Sequence, residues 1–274
     1  QGIANVNVVN PEPNGGTSNN LLFTIEPANA PPHVEVGGPY QVAEGEAILL
    51  TANGSDPDND PLTYAWDLDN DGTFETADTM PAFKGIEGPS SHPVIVRACD
   101  PAAACDTDEA IVDVTNVPPT VDAGTDIMVY RNEAVSVNGT WTDPATSFDA
   151  PYAWSWDLNG DGVSDQSGSA NDGDAVMRTT SFATEGVYTL TFTVTDKDGG
   201  VGSDSRLVQV LNRPPDCAVA TPRVSVLWPP NNQFVSVNLL GVTDTEGDSL
   251  ALLITSIYQD EPVDSYGDGK FVPD

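Results

Sequence analysis

Residues 185–200 read EGVYTLTFTVTDKDGG. Tyr188, Leu190, Phe192 and Val194 alternate with threonines, which is the two-residue period of a strand with one face on a core and the other in water. The Asp- and Gly-rich end of the stretch reads as a tight turn. Working outward, short segments of the same kind recur at spacings of about ten residues, separated by Gly, Pro, Asn and Asp, and roughly seven in a row spell an all-β sandwich.

The pattern occurs twice. Pro31-Pro32 recurs as Pro118-Pro119 and again as Pro214-Pro215, each before a β-like run. Between these marks Ala43–Leu50 (AEGEAILL) matches Tyr130–Val137 (YRNEAVSV), and Asp56-Pro57 matches Asp143-Pro144. Tyr64–Leu68 (YAWDL) then matches Trp154–Leu158 (WSWDL), and Glu87-Gly88 matches Glu185-Gly186. Residues 30–116 and 117–212 are thus two copies of one module, with 1–29 and 213–274 left over. Trp66 and Trp156, in mid-strand among apolar neighbours, are expected to anchor the two cores.

Composition bounds the function. Against 9 Lys+Arg stand 42 Asp+Glu, a formal net charge of −33 in 274 residues, which excludes a nucleic-acid binder because phosphate is attracted by clustered cations. Gly (24) and Pro (23) favour turns over long helices, while 39% hydrophobic residues suffice for cores. No apolar run is long enough to span a membrane. A chain so acidic fits a secreted location, where millimolar calcium neutralises carboxylates. Gln1 in place of an initiator Met suggests a processed or excised piece, and the composition suits an extracellular or cell-surface protein.

Asn53–Gly72 (NGSDPDNDPLTYAWDLDNDG), with the late Glu-Gly and a strand ending in an Asp-rich hairpin, resembles the polycystic kidney disease (PKD) repeat. The second copy, with SWDLNGDG (155–162) and FTVTDKDGG (192–200), matches better; the first departs where Cys99–Cys105 replaces the usual Asp-x-x-Gly turn. The resemblance implies tandem immunoglobulin-like β-sandwiches. Residues 213–274 open like a third copy, and LWPPNNQFVSVNLLGVTD (227–244) is similar to a bacterial secreted β-module, with Asn232-Gln233 where that module usually has His-Lys. Asn5–Asn10, a turn over 11–16, and Leu21–Ile25 resemble the closing hairpin of an IPT/TIG-type domain. Both ends read as incomplete sandwiches, since a lone hairpin or three strands cannot cover a core.

The strongest site signal is Asp67-Leu68-Asp69-Asn70-Asp71-Gly72 with Glu75. Its counterpart is Asp157-Leu158-Asn159-Gly160-Asp161-Gly162 with Asp165. Oxygen side chains at positions 1, 3 and 5, Gly at 6, a carbonyl at 7 and an acid at 9 are the first part of a calcium loop. Position 12 holds Asp78 and Gly168 rather than Glu, so the expected affinity is modest, about 10⁻⁴ to 10⁻³ M; the competing reading is a metal-free Asx-rich turn. The family resemblance implies a second calcium site at each junction, drawn from Asn116 or Asn212, Asp67 or Asp157, and Asp100 or Asp196, where metal would stiffen a rod of modules. Asp56–Asp60 and Asp244–Asp248 are further acidic runs able to chelate.

Cys99 and Cys105 flank a tight turn and are expected to form a disulfide, leaving Cys217 over. His33 and His92, the only histidines, have no nucleophile motif beside them, and there is no Cys/His cluster for zinc. Catalysis is not expected. Two functions fit. The first is a calcium-stabilised structural protein whose spare hairpin pairs with the open edge of another copy, giving head-to-tail filaments. The alternative is a spacer or binding accessory of a larger secreted hydrolase or adhesin, with Trp141 and Trp228 as candidates for touching a polysaccharide or cell-surface protein.

Overall fold

The computed structural model describes residues 2–9, 13, 15, 17, 21–25, 28–225, 235–253 and 255–256. The chain begins with an antiparallel hairpin of β1 (Gly2–Val6) and β2 (Leu21–Ile25), in register from Gly2 opposite Ile25 to Val6 opposite Leu21. The first strand lies earlier than the expected Asn5–Asn10; most of the turn between the strands is outside the described residues.

The first sandwich contains β3 (His33–Val36), β4 (Tyr40–Ala43), β5 (Ala47–Leu49), β6 (Ala52–Ser55), β7 (Thr63–Asp67), β8 (Ala82–Lys84), β9 (Ser90–Cys99) and β10 (Cys105–Thr115). One sheet runs β4-β10-β9-β7, and the opposing face is built from the pairs β3-β6 and β5-β8. The second sandwich contains β11 (Thr120–Asp122), β12 (Ile127–Tyr130), β13 (Ala134–Thr142), β14 (Tyr152–Asp157), β15 (Gln166–Ala170), β16 (Val176–Ser181), β17 (Gly186–Thr195) and β18 (Val201–Leu211). Here β12-β18-β17-β14-β15 faces β11-β13-β16. In both, the opening strand switches sheets: β3 and β11 pair antiparallel in one sheet, then β4 and β12 join the other in parallel with β10 and β18. The first sandwich also breaks where the second runs on. The Tyr40 hydroxyl accepts from Thr51 N at 2.9 Å, separating β5 from β6, and Ile127 stands at the matching place in the second copy.

Alternation does what the sequence promises. Leu190, Phe192 and Val194 are buried and the intervening threonines lie outside. Trp66 and Trp156 are both 0% exposed, and Trp156 stacks on Phe192 with ring centroids 4.7 Å apart. Trp141 also belongs to the second core, 5.6 Å from the Tyr152 ring, so it is a packing residue and not a ligand platform. Trp228 lies outside the described residues.

Cys99 and Cys105 face each other across the β9–β10 hairpin and form a disulfide. Closing so short a loop restricts the unfolded chain modestly, by about 2 kcal/mol. Reduction is therefore expected to lower the first sandwich's calorimetric transition by several degrees and leave the second's in place. Cys217 is free and exposed. Beyond β18 the described chain holds β19 (Thr221–Pro222) paired with β20 (Leu239–Leu240), plus a bridge from Asp216 to Thr243. No helix among the described residues is long and apolar enough to cross a membrane.

Candidate metal centre

Asp67 ends β7 with its side chain buried, 1% exposed, on the opposite face of the strand from the core residue Trp66. Its Oδ2 accepts from Gly72 N at 2.9 Å and its Oδ1 from Asp71 N at 3.2 Å, which curls residues 67–72 around the carboxylate. Gly72, at φ +89°, makes the sharp reversal that only a residue without Cβ adopts cheaply. Glu75 returns from the far side to accept from Leu68 N at 2.9 Å. Oxygens of Asp67, Asp69, Asp71 and Glu75 consequently lie within 4.8 Å of one another. Two oxygens bound to one calcium at about 2.4 Å can be no farther apart than about 5 Å, so the donor set fits that ion. The Asp69 carboxyl is pushed above its ordinary range by partial desolvation, and further by Asp71, Glu75 and Asp67, against the pull of a donated backbone N–H. A divalent cation would relieve that repulsion.

The second loop repeats the scaffold. Asp157, 8% exposed, accepts from Gly160 N at 2.7 Å and Gly162 N at 2.8 Å, Gly162 has φ +84°, and Asp165 accepts from Leu158 N at 2.6 Å. The difference is Asn159. Its amide donates to Asp161 at 3.2 Å and Asp165 at 3.1 Å, so an N–H group already joins the two carboxylates a cation would join. Replacing Asn159 by Asp removes that donor and adds a charge; calcium affinity of this loop, measured by calorimetric titration, is expected to rise about tenfold.

The junction residues divide differently from the grouping expected above. Asn116 does meet Asp196, its amide 3.0 Å from Oδ2, and Asn212 bonds Asp248. Asp100 is met by Asn29, at 2.7 Å, and that bond holds its carboxyl below the usual range. Asp67 and Asp157 are not part of these groups. In the register, Thr63 stands opposite Cys99 while Asp67 stands opposite Ile95, and Ala153 opposite Thr195 while Asp157 is opposite Thr191. The loop aspartates therefore sit at the other end of β7 and β14 from Asp100 and Asp196. A group that the sequence reading missed lies at the first boundary instead, where oxygens of Glu44, Asp143 and Asp149 come within 4.8 Å of one another. Its signal was present in the repeat alignment, which sets Glu44 against Arg131.

The histidines form no catalytic pair. His33 is exposed beside Asp106 at 3.2 Å, and the Ser90 hydroxyl near His92 gives its proton to the Glu87 carbonyl at 2.5 Å.

Over an alignment of 145 residues that covers 49% of this chain, it is 32% identical to Chitinase A of Pseudoalteromonas piscicida, of which the alignment covers 17%. Over an alignment of 203 residues that covers 71% of this chain, it is 25% identical to the Dyslexia-associated protein KIAA0319 homolog of Rattus norvegicus, of which the alignment covers 18%. The chain thus spans under a fifth of either relative. Among solved structures, the fibronectin(III)-like modules of Clostridium thermocellum CbhA share 18% identity at a TM-score of 0.27, covering 65% of this chain and 94% of that one. The family model of the PKD domain, a non-catalytic kind of module, matches residues 29–114 and 116–210. With two such matches over well more than half of its length, the chain belongs to the PKD domain family.

Proposed function

We propose that this chain is a non-catalytic extracellular spacer: two PKD sandwiches in series, stiffened by calcium, within a longer secreted protein. The observation that carries the reading is the convergence of Asp67, Asp69, Asp71 and Glu75 on a space the size of one calcium ion, in a chain of net charge −33. The similarity to part of a chitinase supports a place beside the catalytic domain of a polysaccharide-degrading enzyme. A spacer is favoured over a sugar-binding module because the four tryptophans among the described residues, Trp66, Trp141, Trp154 and Trp156, are all buried and offer no face to a sugar ring.

Melting the full chain with chelator and with ~10 mM calcium tests this. An affinity of about 10⁻⁴ to 10⁻³ M stabilises a sandwich by about 1.5–3 kcal/mol at that concentration, several degrees or more of melting temperature. Asp69→Asn with Asp71→Asn should abolish the shift of the first transition. An unmoved melting curve would remove calcium from the account. Insoluble chitin is expected to leave the protein in solution; retention would make it a targeting module.

A second reading is head-to-tail self-assembly, favoured by the β1–β2 hairpin, a two-stranded sheet whose outer edges carry no further strand among the described residues. It requires calcium-dependent fibres in electron micrographs of the purified chain, whereas a spacer gives single particles.

A further inference from the structure

The two sandwiches turn equivalent sheets to solvent with different chemistry. In the second, β12-β18-β17-β14-β15 faces the core through residues such as Leu190, Phe192, Val194 and Val208. Apart from Asp157, which is 8% exposed in its own loop, the strands bring no charged side chain to the outer face.

The first sandwich shows what this face would otherwise carry. Strand pairing equates the positions, because the hairpin that joins Cys99 to Cys105 is the one that joins Thr195 to Val201. Asp113, Glu109 and Arg97, on the outer face of the first sheet, are thereby matched by Gln209, Ser205 and Thr193. Ser91, whose hydroxyl donates to Asp113 Oδ1 at 2.5 Å, gives way to Val187, and Gln41, opposite Asp113, gives way to Met128, opposite Gln209. Arg97 lies over the Phe74 ring, 4.0 Å from its centroid, whereas the second loop has Ser164 in place of Phe74 and leaves a depression lined by Ser155, Thr191 and Thr193.

Toward β12 the face becomes apolar. Met128, Val187 and Leu207 are 63%, 64% and 42% exposed, and they line an open groove with Ile127 and Gln209. Asp126, the acid at its rim, has Oδ1 engaged by Leu207 N at 2.8 Å. Apolar side chains gathered on a solvent-facing sheet add nothing to the core beneath and mark a contact surface.

We propose that this face binds the same face of a second copy of the chain, as a two-fold pair of sheets packed about 10 Å apart. Charge commits the surface to that occupant. A molecule of net charge −33 repels its own copies, and they can touch where neither brings carboxylates to the contact. A basic partner would find no acid on these strands to pair with beyond Asp157. The aromatic ring that the strands do turn outward, Tyr130, is covered by the Arg213 guanidinium, 4.6 Å from its centroid, so it offers no platform to a sugar. Area agrees. At about 3.4 Å per residue and 4.8 Å between strands the five strands span roughly 600 Å². Two such faces bury on the order of 1,200 Å², the lower end of specific interfaces, so the pair is a reversible one of micromolar strength. A closed pair is a discrete particle, unlike the fibre of the head-to-tail reading. It goes beyond the spacer reading and uses no calcium, so the two stand or fall separately.

The test is sedimentation equilibrium of the full chain in chelator, at concentrations up to about 200 μM. A monomer–dimer equilibrium is expected, and it should tighten as sodium chloride is raised from about 0.05 to 0.5 M, because salt screens the repulsion between the two acidic bodies. Val187→Glu and Leu207→Glu are each expected to weaken the pair at least about tenfold, since two-fold symmetry brings every new charge in twice. Ile111→Glu, at the position of the first sandwich that matches Leu207, should leave it unchanged. A chain that is monomeric throughout overturns the proposal, as does a pair that survives both substitutions or an assembly that grows past two. Retention on insoluble chitin that Val187→Glu abolishes, in a chain that sediments as a monomer, also overturns it and gives the face to a sugar. If Leu207→Glu unfolds its sandwich, Val187→Glu, at the more exposed position, decides alone.

Discussion

Replacing Trp156 by Ala is expected to lower the second sandwich's melting transition by on the order of 15 °C while the first sandwich melts as before. The indole is fully buried, stacks on Phe192 at 4.7 Å, and lies in one core with Tyr152, Trp154 and Leu190. Truncation loses the transfer energy of a large aromatic and leaves a cavity that two facing sheets, held by their ladders, cannot close; large aromatics in such places cost about 3–5 kcal/mol. Differential scanning calorimetry of the full chain reads this directly, because each sandwich has its own core and is expected to melt in its own transition. A drop shared equally by both transitions would show that the two modules melt as one unit.

The second large effect is expected from Gly202→Ala. A Cβ at this position would lie 1.9 Å from the Pro119 carbonyl oxygen and 2.9 Å from Val121 Cγ2. Both neighbours belong to the segment that leaves the module boundary and enters β11, so the chain must shift at a place where Pro119 has little freedom. Overpacking against backbone is costly, on the order of 3 kcal/mol, and the second transition should fall accordingly. Gly72→Ala is a useful contrast. Nothing lies within 4 Å of its Cβ, so only the φ of +89° is strained, and the effect is confined to the Asp67 loop and its calcium affinity.

Much of the fold was legible because it is written locally and written twice. The two-residue period of 188–194, the paired tryptophans and the Cys99-to-Cys105 turn each involve residues that are near neighbours in sequence, and their burial and pairing follow from the pleat. The acidic loop was legible for the same reason: Asp67 and Glu75 are brought together by a nine-residue reversal. What escaped was made elsewhere. Strand β15, QSGSA, is almost wholly exposed and has no apolar alternation; it is a strand because β14 offers it an edge to pair with. The break between β5 and β6 depends on a hydroxyl from Tyr40, eleven residues away and in another strand.

The amino-acid sequence by itself determined the class of fold, the duplication, the core tryptophans and the two acidic loops, since all of these are set by period, by turn residues and by side chains within a few positions of each other. Only the tertiary structure decided which carboxylates share a space. It separated Asp67 from Asp100 by the length of a strand and brought Glu44 to Asp143 and Asp149 across a hundred residues of chain, because strand register and the stacking of one sandwich on the next fix distances that spacing along the chain does not encode.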